Sequence, residues 1–232
     1  MSVYDEPRRA VAAASRSLAE AGLLIGTAGN VSLRVDDAGA GGGDRPGHLA
    51  VTATGAVLAE ADVDAVSVVD RSGRVVAGDL APTSEVDLHL RVHDRHRPGA
   101  VVHTHAPVAT ALACVLDELP CIHYQQMVFG GAVRVAPYAT FGTPELAAGV
   151  TAALDGRSAA LMANHGSVTL GDTLDQAVDN ALLLEWLCTV YRDAAAVGDP
   201  RVLDAEQQDA VVAAAGERRY GSTQPATTRK GR

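Results

Sequence analysis

The chain has 232 residues, of which 47% are apolar and 20% charged, the make-up of an ordinary globular protein and not of a disordered or fibrous one. Nineteen basic and 28 acidic side chains leave a formal charge of −9, which argues against a long nucleic-acid footprint, so an anionic ligand would have to be held by local donors. The alanine-rich N-terminal stretch is broken by charges and no window is apolar for a membrane-spanning length, so a soluble, cytoplasmic protein with no membrane partner is expected. Cys114, Cys121 and Cys188 are odd in number and lack Cys-x-x-Cys spacing, which suggests reduced thiols used for core packing.

Residues 5–22 read as an opening helix, with Pro7 in its first turn, Val11, Ala14 and Leu18 on one face, and Gly22 beyond its end. The period then changes: in GTAGNVSLRV (26–35) the apolar residues alternate, so a Gly-Asn turn leads into a strand. The glycine-rich segment 36–47 reads as a flexible connection to the strand HLAVTATG (48–55). No Gly-Lys-Ser/Thr ends it and no helix follows, so it is not a phosphate loop. Short strands at AVSVVD (65–70) and RVVAG (74–78) surround a turn at Arg71-Ser72-Gly73.

Thr83-Ser84 opens a helix running to about Arg97, with Ser84 as its cap and Asp87 as the capping-box acid, and Pro98-Gly99 stops it. A strand, AVVHTHA (100–106), follows, then a helix from Pro107 to about Leu116 and a strand near VRVAPY. Another helix runs from Thr143 to Gly156, and a buried strand, SAALMA, delivers ANHG (163–166). A long helix from Thr173, paired with Gln176 at its cap, reaches about Ala196. Strands and helices alternate without a regular βαβ rhythm. The expected architecture is a single domain over 1–232, a three-layer α/β/α fold with a central, mainly antiparallel mixed sheet and a flexible tail from about 221.

His103 and His105 are the chemically distinctive pair. Side chains two apart on a strand emerge on the same face, so both imidazoles can aim at one point; the alternative is a hydrogen-bonded polar pair on a half-buried strand. His165, at a glycine-containing turn, is the third ligand candidate, and together the three would leave a divalent metal an open position. Glu85 lies in the first turn of a helix beside two hydroxyl residues, where it could act on the site or merely cap. His89 and His93, one helical turn apart, offer with Glu85 a competing helix-face site that lacks a further ligand. His48, His96 and His123 read as surface or packing residues, His123 being the one expected nearest the cleft.

Taken together, GTAGNVSLRV, TATG, TSEVDLH, AVVHTHA, CIHY, APYATFGTPEL, ANHG and RRYG occur in an order and spacing that resembles the class II aldolase/adducin family, and within it the short ketose-1-phosphate aldolases. The resemblance covers about 10–221 and is broken chiefly at 36–47. It implies zinc, with manganese or cobalt as alternatives, held by His103, His105 and His165, with Glu85 as ligand or acid–base. It also implies phosphate binding by Asn30, Thr54, Gly55, Thr83 and Ser84, with Thr27 and Gly29 shaping the first loop. Tyr124 and Phe141 would lie near the aldehyde, and Tyr220 would reach the site of a neighbouring subunit in a homotetramer. The implied reaction cleaves a ketose 1-phosphate, such as L-fuculose 1-phosphate or a 5-deoxypentulose 1-phosphate, to dihydroxyacetone phosphate and a small aldehyde. Other branches of the family, which epimerise L-ribulose 5-phosphate, dehydrate methylthioribulose 1-phosphate, or serve as non-catalytic modules, are the alternatives. The epimerase branch carries aspartate where this chain has Glu85.

Overall fold

A computed structural model of the chain describes residues 2–35 and 47–218. The glycine-rich connection expected at 36–47, apart from Gly47, and the tail carrying Tyr220 lie outside the described residues. Among the described residues nine strands make one sheet: β1 (Asn30–Val35), β2 (His48–Thr52), β3 (Val66–Asp70), β4 (Val75–Ala77), β5 (Ala100–Thr104), β6 (Glu118–Leu119), β7 (Val133–Ala136), β8 (Ala159–Met162) and β9 (Gly166–Gly171). Their order across the sheet is β4-β3-β2-β1-β5-β9-β8-β7-β6. Every neighbouring pair is antiparallel except β7–β8, so the sheet is the mainly antiparallel mixed one that the irregular alternation of elements predicts.

Among the described residues there are six α-helices, α1 (Asp5–Glu20), α2 (Val86–His96), α3 (Pro107–Ala113), α4 (Pro144–Ala153), α5 (Leu174–Val197) and α6 (Ala205–Arg218), of which all but α6 pack on the sheet. Strand alternation sorts the core into two layers. Ala100 and Val102 of β5, with Ala159 and Leu161 of β8, pack against α1, α3 and α5. Val101, Ala160, Met162 and Val168 face the other way, onto Leu88 and Val92 of α2 and Leu146 and Val150 of α4. His103 follows Val101 by two residues and therefore emerges on the α2 side of the sheet.

Local signals account for most helix starts. Thr143 accepts a hydrogen bond from the Leu146 amide, and Thr173 from that of Gln176. The amides of Val108 and Ala109 at the start of α3 donate to the Glu185 carboxylate of α5. The start of α2 departs from the expectation. Ser84 does not cap it; Glu85 occupies the N-cap position and makes no side-chain cap bond. Its carboxylate is drawn instead to the histidines and Asn30, and Thr83 Oγ1 takes over the turn by accepting from the Glu85 amide at 3.3 Å.

Five features lay outside the expected elements: the short β6, 3-10 segments over Leu58–Glu60, Val63–Ala65 and Tyr124–Phe129, and α6. Cys121 and Cys188 are buried as expected, whereas Cys114 at the end of α3 is exposed.

Candidate active site and metal centre

Three segments converge where β1, β5 and β9 meet. His103 leaves the end of β5 fully buried, and His105 follows two residues later. His165 arrives from the turn between β8 and β9, where Asn164 takes a left-handed conformation at φ 56°, one that asparagine tolerates better than most residues. Two close approaches admit only glycine here. A Cβ on Gly166 would lie 2.2 Å from the Thr104 carbonyl oxygen, and one on Gly29, where φ is +94°, would meet the His103 carbonyl oxygen at 2.9 Å.

One ligand-capable atom from each of the three histidines lies within 4.8 Å of the other two. His103 Nε2 is 3.0 Å from His105 Nε2. Glu85 closes the fourth side, with Oε2 3.2 Å from His103 Nε2 and Oε1 3.6 Å from His165 Nε2. His103 Nδ1 lies 2.9 Å from the Ser167 carbonyl oxygen, to which it donates; that fixes the tautomer and leaves Nε2 to face the cluster. Glu85 Oε1 is buried and has no hydrogen-bond partner among the described residues. Three imidazole nitrogens, one carboxylate with an unsatisfied oxygen and a tautomer fixed from behind make a donor set that suits a borderline divalent cation.

The electrostatics follow from this crowding. Burial alone would raise the Glu85 pKa, but the His103 charge and the hydrogen bonds from His103 and Asn30 overcome it and hold the carboxyl well below the usual carboxylate range. Burial pushes His103 down, yet the attraction of Glu85 outweighs it and the net shift is upward. His105 is lowered to about 4 by burial and by repulsion from His103 and His165. His165 is lowered for the same kinds of reason.

The cluster opens into a cleft of about 580 Å³. Of the residues expected from the sequence, Thr27, Gly29, Asn30, Thr54, Gly55, Thr83, Ser84, Glu85, His105, Phe141 and His165 line it, with His103 buried in the cluster behind. A bridge between Ala53 and Pro82 lays the Thr83 segment against the end of β2, which is why the two hydroxyl-bearing turns meet. Tyr138 and Asn164 line the cleft as well and were not singled out. The signals available were the aromatic in APYATFG and the asparagine of ANHG.

Tyr124 is elsewhere. It lies on the 3-10 segment, half exposed, in a separate groove of about 550 Å³ shared with Val211 and Val212 of α6. His123 packs on Tyr124 and Trp186 and not against the cleft of its own chain. Nor do His89 and His93 form a second metal site: both are buried and hydrogen-bonded to Ser32 Oγ.

The fold and the cluster thus define a mixed α/β protein with three histidines that could hold a metal ion beside a carboxylate. Residues 9–192 match the family described as "Class II Aldolase and Adducin N-terminal domain", and the chain belongs to that metal-dependent family. It is 36% identical over 201 residues, 86% of either chain, to the 5-methylthioribulose-1-phosphate/5-deoxyribulose-1-phosphate aldolase of Rhodospirillum rubrum. To the L-fuculose phosphate aldolase of Escherichia coli K12 it is 35% identical over 193 residues, covering 82% of this chain and 85% of that one. Among solved structures, one of L-fuculose 1-phosphate aldolase superposes with a TM-score of 0.82 at 32% identity, covering 93% of this chain and 97% of the other.

Proposed function

We propose that this chain is a zinc-dependent aldolase that cleaves a ketose 1-phosphate, either a 5-deoxypentulose or L-fuculose derivative, to dihydroxyacetone phosphate and a small aldehyde. The observation that carries the reading is the Glu85 carboxylate wedged between His103 and His165 at the floor of an otherwise neutral, donor-rich cleft. His103, His105 and His165 would hold the cation, with Glu85 as a further ligand when no sugar is bound. Bound there, a divalent cation supplies Lewis-acid stabilisation of the negative charge that develops on the sugar oxygens as the C3–C4 bond breaks.

The protein groups do the rest. Glu85 moves the proton at C3 from its place in the cleft lining. The hydroxyls of Thr54, Thr83 and Ser84, the amides of Gly29 and Gly55, and Asn30 line the region assigned to the phosphate, with Thr27 beside them. Neutral dipoles of this kind bind an anion without net positive charge, as a chain of charge −9 requires. Phe141, two-thirds exposed at the mouth, borders the aldehyde side.

Proton exchange with the aldehyde oxygen is assigned to Tyr220 or Tyr124, with Tyr220 reaching the site from a neighbouring subunit of a homotetramer. Supporting this, Tyr124 belongs to an exposed apolar area that includes Val128 and Val212, both more than half exposed. A cytoplasmic location fits phosphorylated sugars, and no helix among the described residues is long and apolar enough to cross a membrane.

The deciding experiment incubates the zinc-loaded protein with L-fuculose 1-phosphate, 5-deoxyribulose 1-phosphate and L-ribulose 5-phosphate and assays dihydroxyacetone phosphate. Release from either ketose 1-phosphate is expected. Absence of triose phosphate from both overturns the assignment, and epimerisation of the third sugar would replace it.

A further inference from the structure

Behind Glu85, running from the cleft wall at Asn30 into the interior, a row of polar side chains is buried between α2 and β1. Glu85, His89 and His93 are spaced four apart along the start and length of α2, while Asn30 and Ser32 are two apart on β1. Four helical residues rise about 6 Å and two strand residues about 6.6 Å, so the two rows stay in step and pair rung by rung. Asn30 Nδ2 lies 2.9 Å from Glu85 Oε2 and 3.1 Å from Thr83 Oγ1. Asn30 Oδ1 contacts His89 Nε2. His89 Nδ1 is 2.7 Å from Ser32 Oγ, which is 2.9 Å from His93 Nε2. Ser32, His89 and His93 are at most 1% exposed.

The protons in this row can be placed from its Glu85 end. An anionic carboxylate only accepts, so the Asn30 amide nitrogen faces it and the amide oxygen faces His89. His89 Nε2 must then carry hydrogen. Both rings are at most 1% exposed and neither hydrogen-bonds a carboxylate, so burial keeps both neutral. A neutral His89 presents a bare Nδ1, to which the Ser32 hydroxyl donates, and the hydroxyl in turn accepts from His93 Nε2–H. From His93 Nε2–H to Glu85 the donors all point in one direction, while His93 Nδ1 at the far end is buried with no hydrogen-bond partner among the described residues.

We propose that Ser32, His89 and His93 form a one-way hydrogen-bond chain that locks the Asn30 amide toward Glu85, making His89 a positioning residue for the reaction. The proposal rests on the aldolase reading of Glu85. It gives the two carboxylate oxygens different tasks: Oε2 is held by Asn30, and Oε1, which has no hydrogen-bond partner among the described residues, is the one left to exchange a proton. Without the His89 donor the amide can turn over, bring its own oxygen against Oε2 and drive the carboxylate out of place.

Two measurements test it. In His89→Leu the lock is lost; in His89→Gln the side-chain amide nitrogen stands in for Nε2–H; Ser32→Ala removes the middle rung. With folding and zinc content equal to the parent, kcat should fall about 100-fold in His89→Leu and about 10-fold in Ser32→Ala. It should recover at least about 10-fold in His89→Gln over His89→Leu, with KM within about threefold throughout. Long-range proton–nitrogen NMR of the metal-free parent should find His89 and His93 neutral and protonated at Nε2. A folded, zinc-loaded His89→Leu with the parent's kcat, or a His89→Gln no faster than His89→Leu, overturns the positioning role. A His89 ring protonated at Nδ1 overturns the chain whatever the activity. A parent inactive on every ketose 1-phosphate overturns the aldolase reading instead, and the ring tautomers still decide the chain.

Discussion

His103 Nε2 and His105 Nε2 stand 3.0 Å apart, close to the roughly 3.3 Å edge that two nitrogens at about 2.05 Å from a tetrahedral zinc would span. Two bare lone pairs at that distance repel, so the gap holds either a proton or a cation. His103, raised by its attraction to Glu85 despite burial, is the nitrogen for which the two compete.

Metal binding is therefore expected to release protons. Calorimetric titration of the metal-free protein with zinc near pH 6.5, in two buffers of different ionisation enthalpy, should give heats that differ by the protons set free. Apparent affinity should weaken as pH falls. Identical heats in the two buffers would refute the competition, and chelation should abolish turnover until zinc is restored.

Glu85→Gln keeps shape and the Asn30 contact but removes the titratable oxygen. Turnover should fall by about 10²–10⁴ while zinc content and secondary structure stay as in the parent. Full activity in a zinc-replete variant would exclude a proton role.

The site was more legible than the fold around it because chemistry-bearing residues are rare and their spacing is informative. His103 and His105 are two apart; β5 carries His103 near its end and His105 lies one residue beyond it, yet the two ring nitrogens still meet at 3.0 Å. Ser84 misled because a helix start offers its amides to any nearby acceptor, and the pull of His103 and Asn30 on Glu85 is a long-range fact that no local window contains. Helix α6 was missed since it has no buried residue in this chain and so lacks the apolar stripe by which helices are read. Its start was nevertheless marked: Asp204 accepts from the Gln207 amide at 2.8 Å and Gln207 returns the bond to the Asp204 amide at 3.0 Å. The role of His89 was hidden for a different reason, since its partners Asn30 and Ser32 lie 59 and 57 residues away.

Acid should destabilise the metal-free protein through His89 and His93. Their folded pKa values, about 3 and about 4, lie below the ordinary value of 6.5, so between these limits the unfolded chain binds protons that the folded chain refuses. The stabilisation is complete above about pH 6.5 and is lost as pH falls, by up to about 1.4 kcal/mol per pH unit for each ring. His103 runs the opposite way, so the clean observable is a difference between variants. Denaturant unfolding of His93→Leu should lose about 2 kcal/mol less than the parent between pH 7 and pH 5. Parallel losses in the two proteins would contradict a neutral buried His93.

The last prediction separates contact from conformation at a glycine. Gly166 has ordinary backbone angles, yet its Cβ would lie 2.2 Å from the Thr104 carbonyl oxygen and 3.4 Å from His103 Cε1. The first obstacle is backbone, so Gly166→Ala forces β9 away from β5 at the point where His103 and His165 must meet. It should cost about 2–3 kcal/mol in unfolding free energy and weaken zinc affinity at least about 10-fold. Gly216 in α6 is the control: outside its own helix backbone no heavy atom of the described residues stands within 4 Å of its Cβ and its φ is not positive, so Gly216→Ala should be stabilising by about 0.5–1 kcal/mol with unchanged zinc affinity. Urea unfolding and a chelator competition measure both quantities. A Gly166→Ala protein that binds zinc as tightly as the parent would mean that the strand junction tolerates separation, and the close packing of Gly166 on Thr104 would then have no part in holding the three imidazoles together.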